Sequence, residues 1–230
     1  MKTIGLLGGM SWESTVPYYQ EINRLVNERL GGHHSAKIIL HSVDFDEIVQ
    51  LQHAGDWDAM AEILADVAES LQRAGAQLLV ICTNTMHKVA PQIQQRVELP
   101  LVHIADATAE AIKPSGIKTV GLLGTRFTME QDFYKGRLED RHDLTVIVPE
   151  QADREIVHRV IYDELCQGKV LDASRDEYRR IVASIVDRGA QGVILGCSEI
   201  GLLIGDRTVS VPTFDTTAIH ARAAAEYALA

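Results

Sequence analysis

The sequence predicts an α/β fold of two pseudo-symmetric lobes, each with a mainly parallel four-stranded sheet flanked by helices. Two observations carry this prediction. Short aliphatic runs alternate with amphipathic helix patterns along the chain, and the second half of the chain repeats the first. Parallel sheets bind ligands at the carboxyl ends of their strands, so we expect an active site in a cleft between the two lobes.

Three blocks of sequence carry the repeat, and they occur in the same order in both halves. KTIGLLG returns as KTVGLLG at an offset of 116 residues, and the other two blocks follow at offsets of 114 and 112. The blocks and their counterparts are 2–8 and 118–124, 73–84 and 187–198, and 99–102 and 211–214. We therefore predict a first lobe over 1–113 and a second over 114–214, with a C-terminal helix over 215–230 returning to the first.

The predicted strands are near-continuous aliphatic runs, as expected for parallel strands covered on both faces. In the first lobe they span 3–7, 37–43, 77–81 and 101–104, and in the second 119–123, 144–148, 192–195 and 209–214. A helix pattern over 56–74 follows from one apolar stripe, with Asp56 as its N-cap and Gly75 as its stop. The stripe consists of Met60, Ile63, Leu64, Val67 and Leu71. Strand, helix and strand in series predict right-handed crossovers and a parallel sheet.

Composition excludes several classes of protein. The chain has 32 acidic and 22 basic residues, and the net charge of −10 opposes binding to nucleic acid. Its three cysteines form no C-x-x-C pair, which argues against a disulfide framework or a thiolate zinc site. No run resembles a signal peptide or reaches the ~20 apolar residues of a membrane span. We expect a cytoplasmic protein without a nucleic-acid or membrane partner.

Polar side chains follow the third predicted strand of each lobe. The first strand ends in CTNTMH over 82–87, and its counterpart ends in GCSEI over 196–200. Aligning the repeats pairs Thr83 with Cys197 and leaves Cys82 opposite Gly196. Because successive strand residues point to opposite faces, this one-residue shift favours Thr83 over Cys82 as the group that opposes Cys197.

Cys197 is the strongest candidate for a catalytic group. A thiol at the start of a helix is expected to have a lowered pKa, which would supply a thiolate base. Asn84, Thr85 and Ser198 place small polar groups beside backbone N–H groups, a combination that suits a carboxylate. Cys166, in a helix pattern over 155–167, is expected to be a core residue, and for Cys82 both a core and a site role stay open.

The segments GGMS at 8–11, CTNTMH at 82–87 and GCSEI at 196–200 resemble the cofactor-independent aspartate/glutamate racemase family over essentially the whole chain. This resemblance implies an isomerase that interconverts L- and D-amino acids with one catalytic cysteine from each lobe, no cofactor and a homodimeric assembly. Here Thr83 stands where members of the family commonly have the first cysteine. Cys197 and Thr83 are thus the predicted catalytic pair, with His87 as a candidate helper of Thr83.

The resemblance also implies substrate-binding residues, which are Met10, Gln52, Asn84, Thr85, Thr125 and Ser198. Lys169, which follows Gly168 at the end of a helix pattern, is a candidate partner for a distal carboxylate, and a role as a solvated partner of the helix dipole stays open. Gln52 offers no charge where an arginine could serve, which would loosen specificity for acidic side chains. The nine histidines show no H-x-x-x-H spacing and no nucleotide-binding motif is present, so neither a metal nor a cofactor is expected.

Other functions remain open at this point. A broad-specificity racemase would act on neutral or basic amino acids, and a malonate-type decarboxylase of the same superfamily needs only one cysteine. A non-catalytic sensor of amino acids or small anions could use the same two lobes.

Overall fold

Seven strands form two parallel sheets in the computed structural model, which describes residues 1–230. The first unit combines Met1–Ile104 with His220–Ala230, and the second is Ala105–Ile219. The predicted α/β class is confirmed. The division at Ile104 differs from the predicted boundary at 113 by the length of one helix, whose residues from Ala105 belong to the second unit.

The first sheet has three strands in the order β2-β1-β3. They are β1 (Ile4–Gly8), β2 (Ile38–Ser42) and β3 (Leu78–Ile81). The expected fourth strand over 101–104 is reduced to a single parallel bridge between Leu101 and Leu79. The backbone N–H of Ile104 donates a hydrogen bond to the ring of His87, and a helix begins at Ile104. The strand pairing with β3 therefore cannot continue.

Helices cover both faces of the first sheet. They are α1 (Trp12–Leu30), α2 (Phe45–Ala54), α3 (Trp57–Arg73) and α4 (Ala90–Arg96). The predicted helix α3 is confirmed: the Asp56 side chain accepts a hydrogen bond from the backbone N–H of Ala59. Gly75, with a φ of +97°, lies just past the end of the helix. On the opposite face, Ala221, Ala224 and Ala228 of the C-terminal helix pack in one core cluster with Ile4.

The second sheet has the four predicted strands, in the order β5-β4-β6-β7. They are β4 (Thr119–Gly124), β5 (Thr145–Ile147), β6 (Gly192–Gly196) and β7 (Thr213–Asp215). The strand predicted over 209–214 begins only at Thr213, whose backbone N–H and hydroxyl both donate to Asp206. The remaining helices are α5 (Ile104–Ile112), α6 (Arg126–Glu130), α7 (Lys135–His142), α8 (Gln151–Asp163), α9 (Asp172–Asp187) and α10 (Thr216–Leu229).

Strand registers reproduce the sequence repeat inside each unit. In the first sheet Leu7 pairs with Ile81, and in the second Leu123 pairs with Leu195. These are the residues that the offsets of 116 and 114 relate to one another. Thr83 and Cys197 therefore stand at equivalent positions, each two residues beyond the equivalent pair. No helix has the length and apolar character required to cross a membrane.

Candidate active site

Cys82 and Thr83 have different environments at the end of β3. The side chain of Cys82 is fully buried in the core cluster that contains Ile4 and Tyr18, and this burial raises the pKa of its thiol. Thr83 is half-buried at the end of the strand. The alternation of side chains along the strand thus places the Cys82 thiol in the core and leaves Thr83 as the partly accessible residue.

His87 fixes the turn that carries Thr83. Its Nδ1 lies 2.8 Å from the carbonyl oxygen of Thr83, and its Nε2 lies 3.2 Å from the backbone nitrogen of Ile104. A carbonyl only accepts and an amide only donates, so the imidazole is neutral with its proton on Nδ1. Both ring nitrogens are engaged with the backbone, and His87 holds the Thr83 turn rather than receiving the proton of the Thr83 hydroxyl.

Four of the predicted substrate-binding residues lie in the first unit and are nearly inaccessible. Asn84 is 3% exposed and Thr85 5%, at the start of a 3-10 turn over Thr85–Val89. Gln52 is buried on α2, and Met10 packs in the core cluster with Leu7. The polar groups of Asn84, Thr85 and Gln52 are therefore shielded from water. Hydrogen bonds are stronger in such an environment than in water.

The turn between β1 and α1 requires a glycine. Gly9 has a φ of +95°, and a Cβ there would lie 2.4 Å from the carbonyl oxygen of Val43. The backbone N–H of Gly9 donates to the hydroxyl of Thr15, and Ser11 caps α1 by accepting from Ser14. Backbone geometry alone thus accounts for the second glycine of the GGMS motif.

Cys197 stands directly after β6 and before a 3-10 turn over Ser198–Leu202. It is half-buried, and its Sγ donates a hydrogen bond to Oε2 of Glu199 at 3.0 Å. Glu199 is itself buried, with 7% of its surface exposed. The thiol and the carboxylate form a hydrogen-bonded pair through which a proton can move.

The expectation of a lowered pKa for Cys197 is wrong. Burial raises the pKa of this thiol well above its ordinary value, and the negative charge of Glu199 raises it further. Both effects disfavour a thiolate. A single five-residue 3-10 turn follows the cysteine, and its few aligned N–H groups do not offset these effects. Cys197 is therefore a neutral thiol that donates its proton in a hydrogen bond to the Glu199 carboxylate.

The other predicted residues of the second unit have diverse environments. Ser198 is half-buried next to Cys197. Thr125 caps α6, with its hydroxyl accepting from the backbone N–H of Thr128. Lys169 is exposed, and its Nζ donates to the side-chain oxygen of Gln167 at 2.8 Å. Lys169 therefore forms no ion pair within the chain.

A family model described as Asp/Glu/hydantoin racemase matches residues 7–224. The chain belongs to this family. Its racemase resemblance, carried by the three motifs at the strand ends, is thereby confirmed.

Several racemase-family proteins are similar to this chain over their full length. A candidate Asp/Glu racemase from Yersinia pestis has 59% sequence identity and a TM-score of 0.94, with 100% of both chains covered. An aspartate racemase homologue from Pyrococcus horikoshii has 37% identity and a TM-score of 0.85, again with 100% of both chains covered. The broad specificity amino-acid racemase RacX of Bacillus subtilis is 19% identical over 95% of each chain.

Sequence reasoning missed two residues near Cys197 in this racemase-family chain. Glu199 could have been found from its place two residues after the cysteine in the GCSEI motif. Cys166 lies in a 3-10 turn over Leu165–Gln167 that packs against the turn of Ser198–Leu202, and its charge when ionised would raise the pKa of Cys197. This proximity is tertiary, and no local pattern in the sequence signals it.

Proposed function

We propose that this racemase-family protein is an isomerase that inverts the α-carbon of aspartate or glutamate without a cofactor. The observation that carries the proposal is the equivalence of Thr83 and Cys197. Each lies two residues beyond the equivalent paired residue of its own sheet, Ile81 in β3 and Leu195 in β6. One proton-exchanging group per unit is what removal and return of a proton on opposite faces requires.

Cys197 supplies the stronger acid/base group of the proposed pair. In one direction Glu199 accepts the thiol proton, and the sulfur then takes the α-proton from the substrate. Thr83 donates its hydroxyl proton to the opposite face, and exchange with water then reprotonates Thr83 and removes the proton from Glu199. The roles reverse for the other enantiomer. The hydroxyl of Thr83 holds its proton far more tightly than a thiol does, so the face that it serves is the slower one.

The small polar groups near both strand ends suit the α-carboxylate. We assign its binding to Asn84, Thr85, Thr125 and Ser198, with Met10 against the substrate. Oriented N–H and O–H groups in a site that excludes water stabilise the carbanion more than solvent does.

A second candidate function is racemisation of a broader range of amino acids. It is favoured by Gln52, which is buried and uncharged, and by the similarity to the broad specificity racemase of Bacillus subtilis. Lys169, as the predicted partner of a distal carboxylate, favours acidic substrates. The similarity to the aspartate racemase homologue of Pyrococcus horikoshii points in the same direction.

The variant Cys197→Ser tests the proposal. We expect it to lose roughly 100-fold to 10,000-fold in turnover, the range typical of a general acid/base, whereas Cys166→Ser keeps most of the activity. Chiral chromatography of aspartate, glutamate and glutamine, started from each enantiomer, measures turnover. The assay follows dialysis against a chelator and treatment with hydroxylamine. Equal rates for wild type and a folded Cys197→Ser variant would refute the assignment, and activity restored only by pyridoxal phosphate would refute the cofactor-free mechanism.

A further inference from the structure

Arg126 lies at the same edge of the second sheet as Cys197. Gly124, the last residue of β4, pairs with Gly196, the last residue of the neighbouring strand β6. Arg126 is two residues beyond this pair on one strand, and Ser198 is two residues beyond it on the other. Because the strands are parallel, the chain leaves both at the carboxyl edge, where Cys197 stands.

The backbone of Arg126 is held by a hydrogen bond, whereas its guanidinium has no polar partner in the protein. Its backbone N–H donates to Nδ1 of His158 at 3.2 Å. Its guanidinium carbon lies 5.7 Å from the centre of the Phe127 ring, and the guanidinium forms no ion pair or hydrogen bond with the protein. Other arginines of this unit are already neutralised by a carboxylate oxygen within 2.8 Å; they include Arg137, Arg154 and Arg180.

The electrostatic environment of Tyr162 agrees with this placement. Burial is the main cause of the raised pKa of the Tyr162 phenol; the charge of Glu199, and that of Cys197 when ionised, raise it further, and the charge of Arg126 lowers it. The guanidinium therefore acts on the same small region as the thiol and its carboxylate partner.

Arg126 is also the repeat counterpart of a residue assigned to the substrate. The offset of 116 that relates Gly8 to Gly124 relates Met10 to Arg126. The residue two positions beyond the first strand of each unit is thus apolar in one copy and cationic in the other. The two copies contribute different groups there.

We propose that Arg126 binds the side-chain carboxylate of an acidic substrate and sets the preference for acidic over uncharged amino acids. The inference rests on the proposed function. A guanidinium binds a carboxylate through two parallel hydrogen bonds, which a lysine cannot do. Arg126 would act beside Lys169, the predicted partner of the same carboxylate, whose Nζ also donates to Gln167.

The test compares L-glutamate with its uncharged isostere L-glutamine in wild type, Arg126→Gln and Arg126→Lys. Turnover gives kcat and KM, and calorimetric titration gives the dissociation constant of each amino acid. We expect Arg126→Gln to raise the KM and dissociation constant of glutamate about 10-fold to 100-fold, the value of a lost charge-assisted pair. The KM and dissociation constant of glutamine, and the kcat for both substrates, should change little. Arg126→Lys should recover part of the loss in glutamate binding.

The matched control is Arg141→Gln, which removes another exposed, unpaired charge from α7. Arg141 precedes β5 and so lies at the opposite, amino end of the same sheet. Equal changes for glutamate and glutamine in Arg126→Gln, or no change for either, would overturn the inference. If the wild-type protein racemises neither amino acid but Arg126→Gln still weakens glutamate binding, the proposed function is overturned and the inference stands.

Discussion

In the proposed mechanism, Glu199 is the residue that turns the half-buried, protonated thiol of Cys197 into a usable base. Its carboxylate accepts the hydrogen bond of Cys197, and its charge contributes to the raised pKa of that thiol. These two roles have opposite consequences when the residue is replaced. Removing the charge makes the thiolate easier to form, and removing the carboxylate takes away the acceptor of the thiol proton.

In Glu199→Gln we therefore expect the pKa of Cys197 to fall while turnover falls by about 100-fold or more. The rate of alkylation by iodoacetamide as a function of pH measures the pKa, and chiral chromatography measures turnover. Glu150→Gln, which removes an exposed carboxylate paired with Arg188, is the control and should change neither quantity. An unchanged alkylation profile in a folded Glu199→Gln variant would contradict this role.

Thr83 is the weaker member of the proposed pair, and Thr83→Cys should raise turnover about 10-fold, because a thiol exchanges protons more readily than a hydroxyl. Progress curves from each enantiomer provide the measurement. Cys82→Ala should change turnover little because that side chain lies in the core. A folded but inactive Thr83→Cys variant, or a marked gain in Cys82→Ala, would mean that Cys82 acts on the substrate.

The environments of Cys82 and Thr83 follow a local rule. The alternation of side chains along β3 predicts that Cys82 and Thr83 point to opposite faces, and Cys82 is indeed in the core. The pKa of Cys197 could not be predicted, because its direction is set by burial and by Glu199. Neither the depth of a side chain nor the direction of its neighbour's carboxylate can be obtained from spacing.

At the scale of elements, periodicity predicted strand and helix cores better than their ends. Helix α3 follows its apolar stripe and its Asp56 cap. The prediction of a fourth strand in the first sheet is wrong because the backbone N–H of Ile104 donates a hydrogen bond to the side chain of His87, which is distant in sequence. A competing hydrogen bond of this kind leaves an aliphatic run unchanged and cannot be seen in it.

Helix α10 contributes a buried histidine that makes stability depend on pH. His220 is fully buried, with Nδ1 accepting from the Tyr18 hydroxyl at 2.8 Å and Nε2 donating to the Val102 carbonyl at 2.7 Å. Burial lowers its pKa from 6.5 to about 4. Below pH 6.5 the unfolded chain binds a proton that the folded protein does not, so stability falls as pH drops toward 4.

We expect this histidine to account for about 3 kcal/mol of lost stability between pH 6.5 and pH 4. Urea unfolding of wild type and His220→Gln at several pH values isolates the contribution as the difference between the two curves. The variant is less stable at neutral pH but has the shallower decline. His53→Gln, which changes an exposed histidine, should keep the wild-type slope. Parallel wild-type and His220→Gln curves would contradict the assignment.

The molecule as a whole is a duplicated unit whose two copies have diverged at the proposed site positions. In the repeat, Thr83 is the counterpart of Cys197 and Met10 is the counterpart of Arg126. The shared positions could be predicted because the duplication is visible in the sequence. The proposed asymmetry alters the rates from each enantiomer and leaves their equilibrium ratio at one, since enantiomers have equal free energy in water. The homodimer and the cytoplasmic location stay predictions.

Incorporation of solvent deuterium at the α-carbon tests the central claim most directly. Aspartate or glutamate is incubated with the purified, chelator-dialysed protein in heavy water and followed by proton NMR and chiral chromatography. The account predicts that the α-proton signal disappears as the opposite enantiomer forms, at a rate that Cys197→Ser lowers strongly, and that no carbon dioxide is released. An α-proton that persists through prolonged incubation with a folded protein, or release of carbon dioxide from a malonate-type acid in its place, would contradict the account.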